Sequence, residues 1–213
     1  MRSKERIKML VLWSGGCDST YLLYTLLYDQ YVTRGNHKLE PHQTVSTISI
    51  IHDRINAAEE NKLARNKFIK YTNRLKWTFH NFEVTIASDN GNVCIGENNG
   101  LSQPLIWLPI AVNYLRPYED LYVGYIHGDC VWHYKHEIYA MFDNMQKIRG
   151  GTGKLIAPLE WQHKYDILKN LKSYKLHNKV WWCENPVNGK NCKKCVPCIT
   201  NSIAKTAIDN EIV

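Results

Sequence analysis

The sequence predicts an α/β fold with a doubly wound, mainly parallel sheet. Two observations carry that expectation. Strand-length apolar or β-rich runs alternate along the chain with amphipathic or apolar helical stretches, the pattern of a layered α/β fold. The first such run, residues 7–13 (Ile-Lys-Met-Leu-Val-Leu-Trp), enters a small-residue turn, Ser14-Gly15-Gly16-Cys17-Asp18-Ser19, and then a helix start. With 213 residues, 44% of them hydrophobic, the chain can bury a full core. A third observation, four cysteines crowded between 183 and 198, adds a small C-terminal metal-binding unit. The expected division is residues 1–180 for the α/β domain and 181–213 for the appended subdomain.

Taken in order, residues 7–13 read as a buried strand. A helix follows from about Ser19, apolar nearly all round (Tyr21, Leu22, Leu23, Tyr24, Leu26, Leu27) and so buried. Residues 29–44, with Gly35-Asn36 and Pro41, read as a loop, and residues 45–51 as a β-rich strand. Residues 57–75 read as an amphipathic helix with Leu63, Ala64, Phe68 and Tyr71 on its inner face. Residues 82–86 alternate as a strand, and residues 87–100, rich in Asn and Gly, read as a loop. Residues 105–115 read as a helix despite Pro109, and 121–125 as a short strand. Residues 136–148 read as a helix with Ile138, Met141, Phe142 and Met145 inward, broken by Gly150-Gly151-Thr152-Gly153. Residues 155–159 are a further extended segment, and 166–171 lie in another helix. Right-handed crossovers then set the loops after each strand along one edge, where ligands bind.

The net charge of +7 suits an anionic partner such as a nucleotide, a nucleic acid or a polyphosphate, and equally a soluble basic protein without one. The N-terminus is charged and shows no leader-type apolar core, and no run of roughly 18 apolar residues occurs. A cytoplasmic protein without a membrane partner is the expectation. Seven cysteines, an odd number, with four crowded together argue for metal rather than disulfides in a reducing compartment.

The turn after the first strand is a phosphate cradle. Gly15 and Gly16 let the backbone come close to an anion. Ser14 and Ser19 can donate hydroxyl hydrogen bonds, and the helix start offers free N–H groups and a positive dipole end. Asp18 is explained by Mg²⁺ on the nucleotide phosphates, or by holding the loop together. The Gly-Lys-Ser/Thr ending of the Walker loop is missing, as is G-x-G-x-x-G. The loop matches S-G-G-x-D-S, the pyrophosphate loop of ATP pyrophosphatases, which points to cleavage of ATP at the α-phosphate. The plainer alternative is a glycine turn capped by Asp18 and Ser19.

Cys183, Cys192, Cys195 and Cys198 form C-x8-C-x2-C-x2-C. Four thiolates at short spacing suit a closed, structural tetrahedral Zn²⁺. Asn188-Gly189 supplies a turn within the longer gap, and Lys190, Lys193 and Lys194 offset the thiolate charge. An iron–sulfur cluster is the rival for four cysteines, and an RNA-binding zinc knuckle is open for this segment alone. Cys17 fills the variable slot of the loop, and Cys94 and Cys130 have no partner at ligand spacing. Trp132 and His133 suit either base stacking or the core. His127, His133 and His136 are too loosely placed for a metal site.

The two motifs in this order resemble the 7-cyano-7-deazaguanine synthase family, of the adenine nucleotide alpha hydrolase-like fold. The resemblance covers most of the chain: Ser14 to Ser19, Glu60, Ala64-Arg65, Gly124, Asp129, Pro158-Leu159-x-Trp161-x-x-Lys164, Cys183-x-x-Pro186 and the three close cysteines. It implies an ATP-dependent carbon–nitrogen ligase that adenylates 7-carboxy-7-deazaguanine, releases pyrophosphate and AMP, and uses ammonia to reach the nitrile by way of the amide. It implies ATP, Mg²⁺ and structural Zn²⁺ as cofactors. Ser14, Asp18, Ser19 and Lys164 are the implied catalytic residues, and Lys164 joins Ser14, Gly15, Gly16, Asp18 and Ser19 in binding the nucleotide. The family often pairs subunits, which admits a homodimer. The chain departs from the family around His52-Asp53-Arg54-Ile55, over 105–110, where the family's Pro-Gly-Arg-Asn is missing, and over 127–134. Those departures fall in the acceptor half. They leave open a relative that modifies another carboxylate on a base, peptide or protein, and a catalytically silent nucleotide- or RNA-binding module.

Overall fold

The computed structural model describes residues 8–33, 45–52, 56–86 and 102–210. Residues 34–44, 87–100 and the positions Asp53, Arg54 and Ile55, all given roles in the sequence reading, lie outside them, as does Cys94. Five strands form one sheet in the order β3-β2-β1-β4-β5: β1 (Lys8–Leu12), β2 (Val45–His52), β3 (His80–Ile86), β4 (Glu119–Tyr122) and β5 (Leu155–Ile156). Every pairing is parallel, so the expected doubly wound α/β sheet is what the chain forms.

The central strand shows why. Its side chains alternate across the pleat. Val11, and Trp13 just beyond the strand, join one buried cluster with α1 (Cys17–Tyr28), α2 (Ala58–Arg74) and α5 (Lys164–Ser173). Leu10 and Leu12 join a second cluster with α3 (Ser102–Tyr114) and α4 (Lys135–Ile148) on the other face. A strand apolar on both sides can only be interior, and helices must cover both faces. The strand order reverses between β1 and β4. That switch point opens a crevice beyond their C-terminal ends.

Several bounds differ from the sequence reading for physical reasons. Helix α1 starts at Cys17, because Gly16 is already extended (φ −71°, ψ 171°) and serves as the N-cap. Its end continues into a π turn, Asp29–Thr33, where only loop was expected. Helix α3 keeps Pro109 inside it. The carbonyl left without that proline's N–H belongs to Leu105, which is largely exposed and open to water. The guanidinium of Arg149 donates to the carbonyls of Val112 and Leu115 and so closes the C-terminal end of this helix. Strand β4 spans Glu119–Tyr122 rather than 121–125, and β5 only Leu155–Ile156. The glycine break before β5 is tight: a Cβ on Gly153 would stand 1.9 Å from the Glu119 carbonyl oxygen.

Helix α2 corrects the expected inner face. Ala64, Arg65, Phe68 and Thr72 are buried, Tyr71 is half-buried, and Leu63 is 56% exposed. The helix is rotated so that an arginine, not a leucine, points inward. Phe68 is fully buried and meets Trp13 edge-on at 5.5 Å between centroids. Phe68→Ala is therefore expected to lower unfolding stability by about 3–5 kcal/mol, and Leu63→Ala to change it by no more than about 0.5 kcal/mol. Urea titration of both variants checks the assignment; equal losses would contradict it.

Candidate active site and four-cysteine centre

The loop between β1 and α1 is built from its carbonyls. Four successive carbonyl oxygens each receive a donor from behind. Ser49 Oγ donates to Trp13 O at 2.7 Å, Arg65 Nη1 to Ser14 O at 3.0 Å, the Trp181 N–H to Gly15 O at 3.1 Å, and the Thr20 N–H to Gly16 O at 3.1 Å. Arg65 is held in turn by Glu83, with Nε 3.2 Å from Oε1. Burial lowers the pKa of the Arg65 guanidinium and Glu83 opposes that. These four carbonyls are thereby engaged, and within the loop the Ser14 N–H donates to Ser19 Oγ at 3.3 Å. No side chain caps the N-terminus of α1, which leaves the positive end of its macrodipole uncompensated by a cap.

Glycine is needed twice here. Gly15 has φ +91°, and a Cβ there would stand 2.7 Å from the Asn61 carbonyl oxygen. Gly124, following β4, lies against the first turn of α1, where a Cβ would stand 2.9 Å from Ser19 N and Cα. The loop is thus clamped between α2 and the exit of β4.

Each predicted loop residue lies in this cradle. Ser14 Oγ and Ser19 Oγ are 3.0 Å apart, and Ser14 Oγ accepts the Gly16 N–H at 3.1 Å. Lys164, in the first turn of α5, reaches across 146 residues of sequence. Its Nζ donates to both Asp18 oxygens, 2.7 Å to Oδ1 and 2.6 Å to Oδ2. A solvated surface lysine is thereby excluded. Burial works against the ammonium, but the Asp18 carboxylate, with Cys17, outweighs it, so the Lys164 pKa stands above the ordinary lysine value. The helix that carries Lys164 is anchored by Asp166, whose Oδ2 accepts the His163 N–H at 3.2 Å.

Asp129 completes the acidic side. Its Oδ2 accepts the Ile126 N–H at 2.7 Å. Burial pushes its carboxyl up to about 6; the Ile126 N–H opposes this, the Asp18 charge adds to it and Lys164 counters it. In the same turn Trp132 spends its Nε1 on Ile126 O at 2.7 Å and stands edge-on to Tyr125. Trp132 is half-buried and lies in neither core cluster, with the Lys135 ammonium 5.6 Å over its ring, while His133 is exposed. The histidines do not converge on a metal: His127 packs against His163, with ring centroids 4.4 Å apart, and His136 faces outward.

Among the described residues one group of His, Cys, Asp or Glu side chains could hold a metal ion. It is Cys183, Cys192, Cys195 and Cys198, with their ligand atoms all within 4.8 Å of one another. Asn188 (φ 51°) and Gly189 (φ 70°) form the tight turn expected between them, closed by mutual hydrogen bonds of Val187 and Lys190 at 2.9 and 3.0 Å. The Cys192 sulfur accepts the N–H groups of Lys194 at 3.4 Å and Cys195 at 3.3 Å, and these hold its thiol down at about 6. The Cys183 sulfur accepts the Cys192 N–H at 3.1 Å. Backbone donors favour the thiolate, the form that binds metal, at Cys192, while burial pushes the Cys183 thiol up and the Cys198 thiol up to about 12. Cys198 sits in the first turn of α6 (Val196–Asn210). Cys17 is buried, its thiol pushed up to about 12 by burial, and Cys130 opens a short 3₁₀ turn.

No protein-family model matches the chain, and no curated protein matches it. A solved structure does: the U34-tRNA thiolase NcsA from Methanococcus maripaludis, with its [4Fe-4S] cluster. The TM-score is 0.53 at 17% identity, covering 97% of this chain and 67% of that one. The likeness is one of fold. No helix among the described residues is long and apolar enough to cross a membrane.

Arg65 entered the sequence reading only as a landmark, and Ser49, Trp181 and Asn201 did not enter it at all. A polar Ser49 in a run of Ile was the one local sign. Trp181 acts through its backbone N–H, which no residue type reveals.

The Asp129 carboxyl sets a pH dependence. An acid whose pKa rises from about 4 in the unfolded chain to about 6 in the fold favours the fold when protonated. That contribution is complete below pH 4 and is lost as the pH climbs to 6. Asp129→Asn retains an acceptor for Ile126 and does not ionise. The melting temperature of wild type minus that of Asp129→Asn should fall between pH 4 and 6; a difference flat with pH would refute the assignment.

Proposed function

We propose that the protein is an ATP-dependent enzyme that transfers AMP from ATP to an acceptor and releases pyrophosphate. The observation that carries this reading is the run of four engaged carbonyls over an uncapped helix start, with Lys164 held beside it. The loop amides with Ser14 and Ser19 receive the β- and γ-phosphates, where charge develops as pyrophosphate leaves. Lys164 exchanges its bond to Asp18 for a phosphate oxygen. Asp18, so released, offers hard oxygens of the kind Mg²⁺ takes, and Mg²⁺ when bound supplies charge neutralisation.

The acceptor in this reading is the carboxylate of 7-carboxy-7-deazaguanine. What supports it is the matched set Glu60, Ala64-Arg65, Gly124, Asp129, the segment from Pro158 to Lys164 and the cysteines. A carboxylate oxygen attacks the α-phosphorus and the bond to the pyrophosphate oxygen breaks. Ammonia then displaces AMP to give the amide, losing one proton. The amide oxygen then attacks the α-phosphorus of a second ATP, releasing pyrophosphate and one amide proton, and loss of AMP with the remaining N–H proton leaves the nitrile. The fold likeness to a tRNA thiolase favours a second reading, in which the adenylated group is a nucleic-acid base.

The four-cysteine centre is read as a structural zinc site in a small unit, 181–213, attached to the α/β unit of 1–180, in a cytoplasmic protein. Around tetrahedral Zn²⁺ the sulfurs stand about 3.8 Å apart, from a Zn–S length near 2.3 Å. Sulfurs gathered within 4.8 Å suit that single ion. A cubane cluster carries its thiolates on four separate irons, further apart.

With ATP, Mg²⁺, ammonia and 7-carboxy-7-deazaguanine, AMP and pyrophosphate should appear in equal amounts together with amide and nitrile. Formation of AMP only with tRNA and a sulfur donor selects the second reading, and no AMP with any acceptor overturns both. Asp18→Ala and Lys164→Ala should each lower AMP formation by about 10²–10³-fold without changing metal content. Elemental analysis should give one zinc per chain in the wild type and none in Cys195→Ala, whose melting temperature should fall; a visible iron–sulfur chromophore would overturn the zinc assignment.

A further inference from the structure

The four-cysteine centre lies on the path of two arms that both end on the phosphate loop. The first leaves from Cys183. Two residues earlier, Trp181 pairs with the loop as an isolated parallel bridge to Gly16, and its N–H donates to Gly15 O at 3.1 Å. The Trp181 indole folds back on the centre, its Nε1 donating to Cys183 O at 2.7 Å. The second arm leaves from Cys198. One helical turn later in α6, Asn201 is buried and its Oδ1 accepts the Cys17 thiol at 3.8 Å, while its Nδ2 donates to Pro197 O at 2.7 Å. Cys17 is the first residue of α1. The two arms therefore grip the loop at Gly15–Gly16 and at Cys17, and they are joined to each other where Cys183 meets Cys198.

We propose that the four-cysteine centre is the clasp of this grip, with Trp181 and Asn201 as positioning residues that hold residues 15–17 in anion-binding shape when the centre carries its metal. The donor set fits a metal, as its converging sulfurs and their N–H partners show. Without the ion the four thiols have no common bond. Arm 181–183 is then tied to arm 195–201 only through the N–H groups of Cys192 and Cys195 on the Cys183 and Cys192 sulfurs, and the loosened Gly15 carbonyl can swing toward the crevice, where it would repel phosphate. The metal thus acts on the loop through shape, with no contact to nucleotide. The consequence for nucleotide rests on the ATP reading above; the grip itself does not.

Hydrogen exchange of the full-length protein separates the two. Amides of residues 15–18 should exchange at least tenfold faster after the metal is removed by chelation, and at least threefold faster in Asn201→Leu, which keeps all four thiols and should keep one metal per chain. Amides in β1 and β4 should keep their protection in that variant. ATP affinity, read by calorimetry, should fall at least tenfold on chelation and threefold in Asn201→Leu. Unchanged exchange at 15–18 in metal-loaded Asn201→Leu overturns the proposal, even if chelation unfolds the chain. Wild-type protein that binds no ATP at all sinks the ATP reading, while the exchange rates still decide the grip.

Discussion

A loop that is to receive an anion must hide its own carbonyls. Helix α1 does this only for its N-cap Gly16, and neither helix nor sheet does it for residues 13–15, which lie between the two. The molecule solves the problem with four donors from four places: a serine of β2, an arginine of α2, a backbone N–H near the C-terminal cysteines and the first turn of α1. Elements far apart in sequence thus share one task. Arg65 is the costliest of them, a buried cation that stays tolerable because Glu83 and the Ser14 carbonyl both face it. It explains why α2 leaves Leu63 in water: bringing the arginine to the loop fixes the rotation of the whole helix.

The same place is where the sheet reverses direction. Reversal between β1 and β4 leaves their exits side by side with no crossover helix between them. Gly124 then lets the second exit touch the start of α1. The third wall is α5, which brings Lys164 to Asp18. The lysine and the aspartate neutralise each other across the crevice mouth.

The sequence made the fold class and the local motifs legible. Residues 14–19 and the cysteines from 183 to 198 are short-range patterns, visible from spacing alone even though distant residues complete the loop. The all-parallel sheet followed from alternation of strand and helix. What stayed hidden was long-range or carried by backbone. Leu63 looked inward because it is apolar, and nothing near it signals that Arg65 has a carbonyl waiting 51 residues away. The anchor of the Trp132 edge stayed hidden because its partner, Ile126 O, is a main-chain atom. The meeting of Cys17 with Asn201 spans 184 residues and leaves no periodic trace.

That span has a consequence for how the protein is made. The loop leaves the ribosome before the donors that complete it. Its carbonyls at Ser14 and Gly15 find their donors only when residue 65 and then residue 181 have emerged, and Cys17 meets its partner later still. At a translation rate of about 5–20 residues per second, the cradle waits roughly ten seconds or more, incomplete, while the sheet assembles around it. A loop made early is completed only by residues made late.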